Sequence, residues 1–149
     1  MVRKDRTFID AIKNYFQSDI KDEEKHDTEV EAMFYIDKLK HLLVMERDAK
    51  KFKVYNSKTG QWVQNVPEKN IKGGAIIAAD YIEMGNTKYV ATCQNNNTIN
   101  FWDSSSYIFR ERLNTSEIQL CLKWCGSGVN KLFSAGCDKV IHAYDVTTF

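Results

Sequence analysis

From Val30 onward the chain is written in short runs of β-branched, aromatic and aliphatic residues set about ten residues apart. The runs fall at 30–36, 42–45, 52–55, 62–66, 75–82, 89–93, 98–102, 107–113, 118–124, 132–135 and 140–144. Between them lie Asn56-Ser57-Lys58-Thr59-Gly60, Gly73-Gly74, Gly85-Asn86, Asn95-Asn96-Asn97, Ser104-Ser105-Ser106, Gly126-Ser127-Gly128 and Gly136-Cys137-Asp138. Glycine and asparagine tolerate left-handed backbone and serine bonds its own backbone, so each cluster is turn chemistry. Runs this short cannot be helices, and ten to eleven strands in residues 30–149 define an all-β region.

The strands repeat. Aligning the aromatic that closes every third strand gives Phe52-Lys53-Val54-Tyr55, Asn100-Phe101-Trp102-Asp103 and His142-Ala143-Tyr144-Asp145, with the aromatics 47 and 42 residues apart. A period of about 40 to 45 residues marks an array of four-stranded units. Ten positions before the aromatic lie Thr92 and Ser134, and six before it lie Asn96 and Asp138; the same offsets in the first unit give Met45 and Ala49, so that unit is degenerate.

Residues 1–29 read differently. Thr7 and Asp10 fit a capping box, and Phe8, Ile12, Phe16 and Ile20, with Ile9 and Tyr15, recur at helical spacing, which predicts an amphipathic helix over 7–20. Residues 19–27 are charged and unpatterned, the texture of a solvated linker. The expected division is therefore 1–29 as helix and linker and 30–149 as three units, near 30–70, 75–113 and 117–149.

Composition excludes several classes. Across 149 residues, 43% hydrophobic against 28% charged lies in the globular range, and a formal charge of +1 leaves no whole-chain footprint for nucleic acid or an anionic membrane. The longest uncharged stretch, 89–102, holds Gln94, Asn95, Asn96, Asn97 and Asn100 and cannot be a membrane span. The first residues, Met1-Val2-Arg3-Lys4-Asp5-Arg6, are too charged for a secretory signal, so the four cysteines read as reduced thiols of an intracellular protein.

The third unit's Ser134-Ala135-Gly136-Cys137-Asp138-Lys139-Val140-Ile141-His142-Ala143-Tyr144-Asp145 resembles the signature of the WD-repeat β-propeller family, and Trp102-Asp103 supplies the tryptophan–aspartate pair. The resemblance implies a partial propeller of about three blades, the last incomplete, preceded by the N-terminal helix. By position it places Thr92 and Ser134 as the strand-two hydroxyl, Asn96 and Asp138 in the turn between strands two and three, and Trp102 and Tyr144 as the strand-three aromatic, followed by Asp103 and Asp145. The histidine that the family carries before each first strand has no counterpart near Gly73-Gly74 or Thr115-Ser116, and Tyr144 has no indole donor. The side-chain network is therefore expected to be incomplete, with packing carrying more of the stability.

No catalytic or metal constellation emerges, so neither an enzyme nor a cofactor is expected. Cys121 and Cys125 on one strand would stand about 13 Å apart, too far for one zinc or a disulfide. Ile118, Leu120, Leu122 and Trp124 alternate with Gln119, Cys121, Lys123 and Cys125 as a strand does, and the thiols are expected to be buried and structural. His26, His41 and His142 lie in no catalytic context, and His142 aligns with Asn100 and Lys53 as a polar blade-face residue. Gly126-Ser127-Gly128 lacks the lysine and helix of a phosphate loop, and residues 19–24 carry Lys21 and Glu24 where a calcium loop needs a ligand and glycine. Trp62, Trp102 and Trp124 are expected in the core. Lys50, Lys51 and Lys53 form the most basic stretch of the β region and are the candidate partner contact.

The function that follows is a protein-interaction scaffold. The wording of residues 75–80, 99–103, 120–124 and 136–138 is similar to the N-terminal propeller of large ciliary WD-repeat proteins. That resemblance implies an axonemal protein with tubulin and axonemal complexes among its partners, and another chain or segment to complete the ring. The alternative is an RNA-associated or ubiquitin-ligase substrate-recruiting propeller of cytoplasm or nucleus. Nucleic acid and membrane are not expected partners.

Overall fold

The computed structural model describes residues 28–67 and 73–147; the helix expected over 7–20 and the linker over 19–27 lie outside the described residues. Eleven strands run in chain order: β1 (Val30–Ile36), β2 (His41–Glu46), β3 (Phe52–Asn56), β4 (Trp62–Val66), β5 (Ile76–Met84), β6 (Thr87–Gln94), β7 (Thr98–Asp103), β8 (Phe109–Asn114), β9 (Gln119–Cys125), β10 (Lys131–Gly136) and β11 (Ile141–Asp145). They form three antiparallel sheets, ordered β1-β2-β3-β4, β5-β6-β7-β8 and β9-β10-β11. Each sheet is a meander, because its neighbours are joined by turns too short for any other connection. Asn97 and Lys139 take left-handed backbone in the equivalent β6–β7 and β10–β11 turns, at φ 61° and 62°.

The sheets stack face to face, with their first strands meeting at the junctions. Between the first two sheets lie Leu43, Met45, Phe52 and Val54 on one side and Ile76, Val90 and Trp102 on the other. Between the second and third lie Ala91, Cys93, Ile99 and Phe101 against Leu122 and Leu132. Period-two alternation sends one set of side chains from β6 and β7 to each interface, so the middle sheet is buried on both faces. Phe52 and Trp102 meet edge to face at 6.0 Å across the first interface. Burying the aliphatic side chains and Phe52 at this interface contributes about 1.5 to 3 kcal/mol each.

Polar groups also cross the junctions. The amide of Ile76 donates to Ala49 O at 2.9 Å. Asp80, 7% exposed on β5, accepts from Trp124 N at 2.5 Å and Tyr81 N at 2.8 Å, latching the second sheet to the third. Its carboxylate replaces the strand partner that Trp124 N would otherwise need.

Three local expectations are corrected. The register shifts between Ala135 and Gly136, and this irregularity turns Gln119 inward at 1% exposure while Leu120 faces out at 52%. Simple alternation fails there because a bulge resets which face each residue meets. Trp62 lies 40% exposed rather than in the core, and its Nε1 donates to Asn65 Oδ1 at 3.1 Å on its own strand. The expected run 107–113 starts later, at Phe109, because Tyr107 has φ 55° and belongs to the turn.

Candidate functional site

In the second sheet the strand-three aromatic opens a directional relay. Trp102 Nε1 donates to Thr92 Oγ1 at 2.9 Å. An indole nitrogen can only donate, so the single hydroxyl hydrogen of Thr92 is left for the Gln94 amide oxygen 2.7 Å away. The Gln94 nitrogen then donates to Thr98 Oγ1 at 3.2 Å and Thr98 O at 3.0 Å, and the Thr98 hydroxyl donates to Asn96 Oδ1 at 2.6 Å. Asn100 Nδ2 donates to the same Gln94 oxygen at 3.2 Å and is itself fixed by Arg112 Nε donating to Asn100 Oδ1 at 3.1 Å. Thr92 and Gln94 are 0% and 2% exposed, so each missing bond would leave a desolvated group.

The third sheet builds the same relay from different residues. Ser134 Oγ donates to Gln119 Oε1 at 2.5 Å, so the Tyr144 hydroxyl, 3.0 Å from Ser134 Oγ, is the donor there. Gln119 Nε2 continues to Glu117 O at 3.1 Å. The amide now comes from strand one. Gln119 pairs with Gly136 where Ile76 pairs with Gln94, so the two sheets exchange which strand carries the amide. Glycine is required at 136: a Cβ there would stand 2.0 Å from Ile118 O and 2.7 Å from Gln119 Cα. Thus the absence of the family's histidine does not leave these two networks incomplete, since glutamine supplies both an acceptor and a donor.

The first sheet uses charge instead. Met45 pairs with Phe52 where Cys93 pairs with Ile99, a connection one residue longer, so Val44 rather than Met45 occupies the hydroxyl position. Glu46 stands where Gln94 does, and Lys53 Nζ lies 2.8 Å from its Oε1, the side chains 9% and 17% exposed. Lys53, Asn100 and His142 share one register slot, opposite Val44, Thr92 and Ser134. Lys53 is therefore an internal partner of Glu46, and only Lys50 and Lys51 of the basic stretch remain beside the surface turn.

The remaining turn residues are locally engaged. Asp103 accepts from Ser105 N, Ser105 Oγ and Ser106 N at 2.9, 2.6 and 3.0 Å, and the Ser105 hydroxyl bond first among these holds its carboxyl far below the usual range. Asp145 closes its turn through Thr147 N at 2.9 Å and Thr147 Oγ1 at 2.5 Å, which lowers its pKa likewise. Asp138 pairs with His142, whose hydrogen bond lowers the carboxyl's pKa. His41 Nδ1 lies 2.8 Å from Tyr107 Oη across the first interface; desolvation lowers the imidazole's pKa and raises the phenol's.

The thiols depart from expectation. Cys93 is buried, with its pKa pushed up to about 12 by desolvation, but Cys121 and Cys137 are exposed and Cys125 is intermediate. All four are free, and no group of three or more potential metal ligands occurs among the described residues. A cavity of about 470 Å³ opens at the end of the first strands, between Tyr35, Lys38, Tyr81, Lys123 and Trp124. Lys38 pairs with Glu83 across it, joining the first two sheets.

Gln94, Gln119, Glu46 and Asp80 were missed by the sequence reading. Each is a polar residue inside an apolar run, a signal visible in the chain but without meaning until strand register is known.

Stacked antiparallel meanders, two of four strands and one of three, with an aromatic–hydroxyl relay in the second and third, define the fold as part of a WD-repeat β-propeller. The chain is similar to the solved structure of U3-55K, with a TM-score of 0.69 and 12% identity over 83% of this chain and 38% of that one. It is equally similar to the WD40 repeats of RRP9, with a TM-score of 0.69 and 12% identity over 83% of this chain and 37% of that one. At this identity the likeness is one of fold, and the chain spans less than two-fifths of either structure's length. No family model matches the sequence, and no curated protein matches it.

Proposed function

We propose that the chain is a non-enzymatic protein-interaction scaffold. The observation that carries this reading is the use made of its polar side chains: Trp102–Thr92, Ser134–Gln119 and Glu46–Lys53 each join neighbouring strands, and Asp138–His142 fixes a turn to its strand. Groups fixed in this way give a rigid surface for partners rather than a proton-transfer site. The three sheets among the described residues do not close a ring of about four to eight blades, so further blades come from another chain or segment.

The setting we propose is the ciliary axoneme, with the scaffold bound to doublet microtubules or to complexes on them. The wording of residues 75–80, 99–103, 120–124 and 136–138 supports it. An RNA-associated role would rest on Lys50, Lys51 and Lys53, and the engagement of Lys53 by Glu46 weakens that surface. Crosslinking of the tagged protein in ciliated cells, followed by mass spectrometry, should recover tubulin or axonemal neighbours. Axonemes lacking the protein yet retaining every periodic density would refute the placement.

A further inference from the structure

The chain has three tryptophans, and two of them spend their indole hydrogen inside the molecule. Trp102 Nε1 donates to Thr92 and Trp62 Nε1 to Asn65. Trp124 Nε1 has no hydrogen-bond partner among the described residues, although its side chain is half-buried. A tryptophan so placed ordinarily finds an acceptor. Gly126 keeps this hydrogen accessible: a Cβ there would stand 3.1 Å from Trp124 Nε1, and every atom it would meet belongs to that indole. Gly126 has no left-handed backbone that would call for glycine on its own account.

Both residues line the cavity of about 470 Å³ at the turn ends of β1, β5 and β9. Its walls are three neighbouring first strands with β5 in the middle, so blades added beside the first or third sheet leave those walls in place. In this cavity the acceptors are spent and donors are not. Asp37 accepts from Lys40 Nζ at 2.6 Å and Tyr35 Oη at 3.3 Å. Asp80 holds the amides of Tyr81 and Trp124, and Glu83 pairs with Lys38 and faces Lys88 at 3.9 Å. Lys123 Nζ and Ser127 Oγ, on exposed residues of the same wall as Trp124, have no partner among the described residues.

Such a surplus of donors calls for an anionic acceptor, and the rings of Tyr35, Tyr81 and Trp124 offer contact to its apolar stem. Lys40, Lys88 and Lys131 adjoin the same first-to-second-strand turns, so positive charge continues past the cavity across all three sheets. An extended anion matches that distribution better than a compact one. Asp37, Glu83, Asp103 and Asp145 at the same end repel a phosphate chain charged at every nucleotide, whereas a peptide can set neutral residues against them. We propose that this cavity docks an acidic segment of a partner protein, one carboxylate of which accepts from Trp124 Nε1 beside Lys123; the inference rests on the scaffold reading and deepens it.

The test titrates the full chain with fluorescein-labelled hexaglutamate, with hexaglutamine and an oligouridylate of equal length as comparison probes. Anisotropy should show saturable binding of hexaglutamate that weakens with added salt, and none of hexaglutamine. Trp124→Phe keeps a ring and loses the N–H, and should weaken binding about tenfold, the worth of a hydrogen bond to a charged acceptor. Lys123→Gln should weaken it about three- to fivefold. Gly126→Ala should weaken it by crowding the N–H, with a thermal melt close to the parent's. In the heteronuclear NMR spectrum the Trp124 indole signal, identified by its loss in Trp124→Phe, should move at saturation while those of Trp62 and Trp102 hold still. If Trp124→Phe unfolds, Lys123→Gln and the indole shift decide the matter. Absence of saturable binding, equal binding of hexaglutamine, tighter binding of the oligouridylate, a stationary Trp124 signal, or indifference to Lys123→Gln would each overturn the site. Weakening by Lys50→Gln and Lys51→Gln instead would place the anion at the opposite turns and overturn it too. Crosslinked neighbours on other surfaces would survive any of these results, which separates failure of the cavity from failure of the scaffold reading.

Discussion

Removing the indole of Trp102 tests the repeat register, because this one side chain closes the relay and fills the first interface. It is 2% exposed, meets Phe52 edge to face at 6.0 Å and Phe109 at 5.7 Å, and donates to Thr92. An aromatic of this size buries about 150 to 250 Å², which at about 25 cal/mol per Å² is roughly 4 to 6 kcal/mol. Residual burial in the unfolded chain lowers this by about 10 to 40%, so Trp102→Ala should cost about 3 to 5 kcal/mol, the range seen for large aromatic truncations. Trp102→Phe keeps most of the packing and loses only the bond to Thr92, a cost of about 1 kcal/mol. Urea unfolding followed by far-ultraviolet circular dichroism measures both. A loss below about 1 kcal/mol for the alanine variant would refute the packing and the alignment together.

Gly136→Ala should lower stability by about 2 kcal/mol or more, because the new Cβ meets backbone atoms that cannot move without disturbing Gln119; a thermal melt unchanged from the parent would contradict this. Asp80→Ala should cost about 2 to 3 kcal/mol and leave the Trp124 amide without its acceptor, so hydrogen exchange at Trp124 should accelerate while amides within β6 and β7 keep their protection. Burial lowers the pKa of His41, so the unfolded chain takes up its proton more readily; the associated stability is present above pH 6.5 and falls as pH drops through the depressed folded value. His41→Asn should remove that component, seen as a difference between the two pH–stability curves. Brief alkylation of the native protein should modify Cys121 and Cys137 and spare Cys93, whose thiolate is scarce with a pKa near 12; equal labelling of Cys93 would contradict its burial.

The strands were legible because their signals are local. β-branched and aromatic runs ended by Asn95-Asn96-Asn97 or Gly136-Cys137-Asp138 announce a strand and its turn without help from the rest of the chain. The repeat was legible through Trp102 and Tyr144, whose positions survive while their chemistry differs. Alternation misled at Leu120 and Gln119, because one bulged residue inverts every face assignment beyond it. Residue type misled at Trp62, Cys121 and Cys137: it reports a preference for burial, whereas exposure depends on what another part of the chain places against that face.

The linear order of residues settles the all-β class, the period and the four-strand unit, since these follow from backbone preference and side-chain alternation within a few residues. Tertiary structure alone decides which polar groups meet. Gln94 serves one sheet from strand two, Gln119 serves the next from strand one, and Glu46 with Lys53 replaces both in the first. Asp80 becomes a latch only because Trp124, 44 residues later, arrives with an amide to satisfy. Such pairings depend on register and on distances across the stack, and a hydrogen bond formed or lost within a few tenths of an ångström has no trace in composition or spacing.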